Sequence, residues 1–161
     1  MIHPVDNNNI KECVDVIKES FLTVANEFSF TIENAPRFTA FATTEQRLLW
    51  QLNHENRPMY AFVVDGNIVG YYSLALQENK ECELNNLCVL PQFRHQGIGK
   101  KLLLHSFNEA KSLGCSKMNI GIVEENRILK KWYESFGFKH IRTQKFDFFP
   151  FTCGYMELIF T

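Results

Sequence analysis

Apolar residues recur every three to four positions in several stretches of the chain, a spacing typical of helices that bury one face. One such stretch follows Asp6, a good helix cap, and another ends at Gly114, which favours a helix stop. Four helices are predicted: one after Asp6, one from residue 43 or 44 to about 54, one from about 99 to 113, and one from 125 to 136. Residues 26–42 lose this periodicity, and their length favours a functional loop or an irregular helical segment over a simple connector.

Runs rich in β-branched and aromatic residues predict seven strands, at residues 1–5, 59–64, 68–76, 82–89, 117–122, 138–146 and 155–160. Asp65-Gly66-Asn67 lies between the second and third of these runs, and an Asp-Gly pair in that setting is a strong hairpin signal. Antiparallel neighbours come first and strand–helix–strand units follow. This order predicts an α+β fold, with one mixed, twisted sheet of about seven strands flanked on both faces by about four helices.

Composition and charge exclude several classes of protein. The chain has 161 residues, 45% hydrophobic and 22% charged, as expected for a single globular domain over residues 1–161. A net charge of −1 gives no electrostatic argument for nucleic acid, and no apolar run reaches the roughly 18 residues that span a bilayer. The N-terminus lacks the pattern of a secretory signal, and the five cysteines show no C-x-x-C spacing. We therefore expect a cytoplasmic protein with reduced thiols and with neither a membrane nor a metal partner.

The strongest chemical signal is the stretch Arg94-His95-Gln96-Gly97-Ile98-Gly99, which joins a predicted strand to a predicted helix. Its two glycines leave the backbone N–H groups of the helix start unshielded, and the helix dipole adds positive potential. The loop therefore suits a phosphate or pyrophosphate. The dinucleotide fingerprint is not met because residue 102 is Leu, and the nucleoside-triphosphate loop is not met because neither Gly-Lys-Ser nor Gly-Lys-Thr occurs.

The spacing Arg94-x-x-Gly97-x-Gly99 resembles the signature of the GNAT superfamily of N-acetyltransferases. A second family motif is also matched, with Asn126 at a helix start, Tyr133 seven residues later, and then Gly137-Phe138. The order of predicted elements agrees with the family along essentially the whole chain. The resemblance implies a GNAT-like fold and acetyl-CoA as the acetyl donor. It also implies transfer of the acetyl group to a primary amine by direct attack in a ternary complex.

The resemblance further implies a set of cofactor-binding residues in the loop, in the strand before it and in the second motif. They are Leu87, Cys88, Val89, Arg94, His95, Gln96, Gly97, Ile98, Gly99, Lys100, Asn126 and Tyr133. In the family, backbone N–H groups of the loop bind the pyrophosphate, and the preceding strand leaves backbone groups free for the pantetheine arm. Arg94 and Lys100 are either solvated charges or an electrostatic support for the phosphates. Asn126 can act as a helix cap as well as a cofactor contact.

Two residues are the catalytic candidates. Tyr133 matches the tyrosine that protonates the departing thiolate in the family, although an ordinary core aromatic would show the same local sequence. Glu83 occupies the position at which some members carry a general base, and an alkyl amine with a pKa of about 10.4 requires one. A solvated strand-end carboxylate is the alternative for Glu83, and Glu81 or a water chain could replace it as the base. Strand alternation is expected to place residues 83, 85, 87 and 89 on one side and residues 84, 86, 88 and 90 on the other.

The sequence does not specify the acceptor, which is expected to be a small-molecule or peptide amine. The phenylalanine-rich segments 28–41 and 146–151 are expected to line its pocket, with Glu27, Glu33 and Arg37 as polar handles. Cys88 has no histidine or acid at a telling spacing, which argues against a covalent acyl-enzyme. A non-catalytic acyl-CoA-binding module on the same fold is the alternative interpretation, and transfer of a longer acyl group is another. Dimers are common in such folds, which leaves a homodimer open.

Overall fold

A computed structural model describes residues 1–161 and contains one seven-stranded sheet. The strands are β1 (Ile2–Pro4), β2 (Met59–Val64), β3 (Asn67–Leu76), β4 (Glu81–Val89), β5 (Lys117–Val123), β6 (Lys139–Lys145) and β7 (Thr152–Ile159). They lie in the order β1-β2-β3-β4-β5-β7-β6. Every pair of neighbours is antiparallel except β4 and β5, which run parallel.

The chain also forms five α-helices: α1 (Ile10–Phe28), α2 (Thr39–Ala42), α3 (Glu45–Asn53), α4 (Ile98–Ser112) and α5 (Arg127–Glu134). α1 and α4 both contact β3 and β4. They cover opposite faces, because adjacent strand residues point in opposite directions. Tyr72 Oη lies 2.7 Å from His105 Nδ1 on α4, whereas the neighbouring Tyr71 lies near Cys13 of α1. No helix is both long and apolar enough to cross a membrane.

The predicted fold class is confirmed, and the element bounds differ by only a few residues. The Asp65-Gly66 hairpin turn has φ of 50° and 80° at its two central residues, the pattern of a type I′ turn. The main difference lies in the segment that lost helical periodicity. There α1 continues to Phe28 and ends at Ser29 in the left-handed region, and after a loop the one-turn helix α2 forms. The helix count is therefore five rather than about four.

A β-bulge interrupts β4 in its middle. Ser73 of β3 pairs with Asn85 and Tyr71 pairs with Cys88, so three steps along β4 oppose two steps along β3. The extra residue is accommodated at Asn86, whose φ of 55° lies in the left-handed region that Asn tolerates better than most residues. The simple alternation predicted for residues 83–90 is therefore wrong beyond Asn85, because the bulge resets which side each later residue faces.

The parallel pairing of β4 with β5 is short. It includes Glu81, Cys82 and Glu83 on β4, and its last pair joins Glu83 to Asn119. Beyond this pair the two strands diverge and leave an opening in the sheet, here called the β4–β5 wedge. The wedge is bounded by residues 84–89 of β4 and residues 120–123 of β5.

Close packing of α4 on β3 fixes the position of the α4 N-terminus beside the wedge. A Cβ atom at Gly70 would lie 2.9 Å from Leu102 Cδ1 and 3.2 Å from the carbonyl oxygen of Cys88. Gly70 also pairs directly with Val89, the last residue of β4. Only glycine at position 70 allows the helix to approach this closely.

We expect Gly70→Ala to lower the free energy of unfolding by about 1–3 kcal/mol, because the added methyl group overlaps α4 and the β4 backbone. Gly121→Ala is the matched control on β5, where the nearest atoms to a new Cβ belong to Tyr155 at 3.7 and 3.9 Å. Its stability should stay equal to that of the wild type or rise slightly. Urea denaturation of the three proteins measures both effects, and equal stability of the two variants would contradict this account of the packing.

Candidate active site

The diverging part of β5 lines an apolar cavity of about 250 Å³. Gly121, Ile122 and Val123 form one wall, α1 and the loop before α2 contribute a second, and α5 and the β6–β7 loop close the rest. The phenylalanine-rich segments contribute Phe38, Phe149 and Phe151 to this lining. Of the three expected polar handles, Arg37 lines the cavity, whereas Glu27 and Glu33 do not.

The start of α4 is open to solvent and carries no side-chain cap. Gly97 is the N-cap with φ of 82°, His95 before it has φ of 62°, and a Cβ at Gly97 would meet nothing within 4 Å. The N–H groups of the first turn, residues 98–100, therefore donate no hydrogen bond to a capping side chain. Such an open helix start has the geometry that binds phosphate groups.

The two sequence motifs meet in space. A Cβ at Gly99 would lie 3.8 Å from both Trp132 Cζ2 of α5 and Val89 Cγ2 of β4. The first turn of α4 therefore packs between the end of β4 and the helix that carries Tyr133. This contact brings the glycine loop and the second motif to one end of the β4–β5 wedge.

Arg94 holds this region together from inside the protein. Its Nε donates to the carbonyl oxygen of Val89 (3.0 Å), while its Nη1 donates to Thr23 Oγ1 (3.0 Å) and its Nη2 to the carbonyl oxygen of Ser20 (2.9 Å). Thr23 and Ser20 belong to α1. All three guanidinium nitrogens thus bind protein acceptors, and Arg94 links α1 to the end of β4. The interpretation of Arg94 as a solvated charge is therefore wrong, whereas an electrostatic support for the phosphates stays a prediction.

Glu83 lies at the vertex of the wedge, in the last residue pair between β4 and β5. Burial raises the pKa of its carboxyl above the usual range, and the positive charge of Arg57 partly offsets the rise. Glu81 differs, because its Oε1 lies 2.6 Å from Lys117 Nζ and this hydrogen bond lowers the pKa of Glu81. A weakly basic, ion-paired carboxylate is a poorer proton acceptor than Glu83.

Tyr133 is buried between Trp132 and Phe138, with ring centroids 5.1 and 5.4 Å away. Its hydroxyl makes no hydrogen bond with a protein group, and burial, together with the nearby Cys88, raises the pKa of the phenol. The hydroxyl therefore stays protonated across the neutral range and is free to donate.

Asn126 caps α5, since its side chain accepts a hydrogen bond from the backbone N–H of Leu129 (3.2 Å), and it also lines the apolar cavity.

The remaining residues expected to bind the cofactor lie along the end of β4 and in the loop. Leu87 is half-buried and Val89 is buried. Cys88 is also buried, and this burial raises its pKa to about 12. A thiol with so high a pKa is not ionised near neutral pH, which agrees with the argument against a covalent acyl-enzyme. No group of three potential ligands is placed to hold a metal ion.

Sequence reasoning missed a second, polar cavity of about 140 Å³, here called the arginine cavity. Arg37, Arg47 and Arg57 line it together with Asn85 and Asn86 from the β4 bulge. It shares Arg37 and Thr39 with the apolar cavity. No spacing in the sequence pairs these arginines with β4, because residues 37–57 and 85–86 meet only through the tertiary fold.

The sheet order, the wedge and the open helix start agree with the GNAT-like fold that the two sequence motifs predict. The model of the acetyltransferase (GNAT) family matches residues 23–138, and the chain therefore belongs to this family. The family prediction made from the two motifs is confirmed.

Among solved structures, the PaiA N-acetyltransferase of Thermoplasma acidophilum, crystallised with coenzyme A, superposes with a TM-score of 0.85. The match covers 99% of this chain and 98% of that one at 20% identity. The ribosomal-protein-S18-alanine N-acetyltransferase of Escherichia coli has a TM-score of 0.78 at 16% identity, with 100% and 94% of the two chains covered. At these identities the likeness shows the fold alone.

A curated relative, the ribosomal protein bS18-alanine N-acetyltransferase of Haemophilus ducreyi, is 36% identical over 77 residues. That match covers 48% of this chain and 52% of the relative, so it spans about half the length of that protein. The spermidine N(1)-acetyltransferase of Thermoplasma acidophilum is 31% identical over 84 residues, 52% of each chain.

Proposed function

We propose that this protein transfers the acetyl group of acetyl-CoA to the primary amine of an acceptor by direct attack in a ternary complex. The observation that carries the proposal is the β4–β5 wedge, with Glu83 at its vertex and the open start of α4 at its far end. The two ends of the wedge supply the two things the reaction needs, a proton acceptor for the amine and an anchor for the phosphates of the coenzyme. Membership of the GNAT family supports the same reaction.

The residues around the α4 start fit the coenzyme. The space in front of Gly97 is empty to at least 4 Å, and the first-turn N–H groups are uncapped. We place the pyrophosphate over residues 94–100, held mainly by backbone N–H groups. Leu87, Cys88 and Val89 follow the bulge on the diverging strand and would offer backbone groups to the pantetheine arm and to the thioester carbonyl oxygen. Two GNAT-fold neighbours were crystallised with coenzyme A and with acetyl-CoA.

Bound acetyl-CoA supplies a thioester carbon that forms a bond to the amine nitrogen while its bond to sulfur breaks. Glu83, directly or through a water molecule, accepts the proton that the amine nitrogen loses. Tyr133 donates its hydroxyl proton to the departing sulfur. The raised pKa of Glu83 makes it a stronger base than an exposed carboxylate, and the unpaired hydroxyl of Tyr133 is available as the acid.

The acceptor enters from the side of the apolar cavity in this proposal. Relatives named for ribosomal-protein alanine and for spermidine indicate that family members with similar sequences act on protein and small-molecule amines. The aromatic lining of the cavity suits the hydrocarbon part of such an acceptor.

We expect Gly97→Asp to weaken coenzyme A binding by at least about tenfold relative to Gly97→Asn. Both side chains tolerate the left-handed φ of 82° and have nearly equal size, so they differ mainly in the negative charge set before the pyrophosphate. Isothermal titration calorimetry at low salt measures both affinities. Equal binding by the two variants would show that the pyrophosphate lies elsewhere.

Tyr133→Phe should lower kcat by about 100-fold or more with little change in the affinity for acetyl-CoA, because only the proton donor is lost. The fold should survive, since the hydroxyl has no protein partner to leave unpaired. Tyr71→Phe is the matched control, because Tyr71 is also a buried tyrosine but lies on β3. This variant should keep wild-type turnover. Release of free coenzyme A with an amine panel gives the measurement. Unchanged turnover of the Tyr133 variant would remove this residue from the mechanism. If the wild-type protein binds coenzyme A but shows no turnover with any amine, the protein is a non-catalytic binding module.

The pH profile tests Glu83. Glu83 can accept a proton only when it is ionised, so kcat/KM should fall as the pH drops through the raised pKa of Glu83. This fall on the acidic side of the profile is the acidic limb. Glu83→Gln should lack the acidic limb and should react about 100-fold more slowly. Glu81→Gln, which removes the carboxylate paired with Lys117, should retain the limb. If the two variants show the same profile as the wild type, another group or water takes the proton.

A further inference from the structure

The arginine cavity next to the β4–β5 wedge concentrates positive charge. Three of the six arginines of the chain line it, and no acidic residue does. Such a concentration of cations is unexpected in a chain whose net charge is −1. Cations that face one small cavity repel each other, and an anion inside the cavity relieves that repulsion.

The hydrogen bonding of these arginines differs from that of Arg94. All three nitrogens of the Arg94 guanidinium bind protein oxygens. By contrast, the guanidinium groups of Arg37 and Arg47 make no hydrogen bond and no salt bridge with any residue of the chain. Arg57 donates from Nη2 to Glu55 Oε2 (2.7 Å), which leaves its other donors free. Because Arg37 and Arg47 are exposed, their guanidinium donors are open to a ligand.

The cavity is also partly preorganised. The guanidinium carbon of Arg37 lies 4.2 Å from the centre of the Phe148 ring, a cation–π contact that restrains the side chain. The Arg57 side chain is only 16% exposed, so solvent screens its positive charge less than it screens an exposed charge. Asn85, Asn86 and Gln51 add neutral amide donors. Planar guanidinium forks with amide donors suit the oxygens of a carboxylate or a phosphate.

The position of the cavity ties it to the acceptor. Its walls include Asn85, two residues beyond Glu83 on β4, and it adjoins the apolar cavity at Arg37 and Thr39. The charge of Arg57 also influences Glu83, which places the two groups near each other. An acceptor whose amine reaches Glu83 would therefore hold a neighbouring anionic group among the arginines.

We propose that the acceptor is a small amine that carries a carboxylate or a phosphate-type group, bound by Arg37, Arg47 and Arg57 while the amine faces Glu83. This inference rests on the proposed acetyl transfer and narrows its substrate class. The same cavity disfavours polyamines, because their additional positive charges would face three arginines without an acidic partner in the lining.

The first experiment compares matched amines as acetyl acceptors. L-α-Amino acids are tested against their carboxamides, 2-aminoethylphosphonate against ethanolamine, and spermidine alone. The amine of a carboxamide is less basic and more often neutral, so without an anion site the carboxamide should react faster. We expect the anionic member of at least one pair to have a kcat/KM about 10- to 100-fold higher. The amino acid and phosphonate pairs distinguish a carboxylate from a phosphate-type anion.

The second experiment removes one charge. Arg47 is exposed, so Arg47→Gln should fold normally, and it should reduce kcat/KM for the preferred anionic amine about tenfold or more without affecting its neutral partner. Arg37→Gln should also lower kcat/KM for the preferred anionic amine. Lys11→Gln, which removes a positive charge from exposed α1 surface, should change neither.

The outcomes separate this inference from the proposed function. Equal use of anionic and neutral amines, a preference for spermidine, or equal losses of both amine classes in the arginine variants would each overturn the anion site. Absence of turnover with every anionic amine would overturn it too, provided that calorimetry shows coenzyme A still binding. Failure of the wild type to bind coenzyme A would overturn the proposed function itself.

Discussion

The feature on which the rest of this structure depends is the bulge in β4 at Asn86. A regular β4 would continue its parallel ladder with β5, and the backbone groups of both strands would be consumed in pairing. The bulge adds one residue, bends the strand and coincides with the loss of pairing beyond Glu83. The wedge opens beside this bulge, and Asn85 and Asn86 at the bulge line the arginine cavity.

An opening in a sheet must be held open, because unpaired strand edges tend to find partners. Here the support comes from side chains around the wedge. Arg94 ties the end of β4 to α1 through three hydrogen bonds, and the close approach at Gly70 fixes α4 against β3. Trp132 packs beside Gly99, so α5 supports the same end. The uncapped turn of α4 is thus exposed on a rigid base, as a site that binds an anion through its backbone requires.

Features encoded by neighbouring residues could be predicted from the sequence, and features that depend on distant residues could not. The hairpin at Asp65-Gly66, the glycine loop and the capping role of Asn126 depend on residues within a few positions of each other. The bulge at Asn86 was missed although the alternation breaks at Asn85-Asn86, because the apolar run that follows, residues 87–90, is equally typical of a strand buried on both faces. The two partners of Arg94 on α1 lie 71 and 74 residues earlier in the chain, and no local spacing reveals such contacts.

In the proposed mechanism, binding of an anionic acceptor in the arginine cavity would change the electrostatic environment of Glu83. Burial raises the pKa of Glu83, and the positive charge of Arg57 opposes that rise. An anion placed beside Arg57 would offset this charge, and the pKa of Glu83 would then rise further. Glu83 would therefore bind protons more strongly when an anionic acceptor occupies the cavity, which is when the amine must lose one. A neutral amine would leave the charge of Arg57 uncompensated. Glu83 would then be a weaker base for that amine, and the amine would also make fewer contacts with the arginines. Discrimination between the two classes of amine would then arise in the proton transfer as well as in binding.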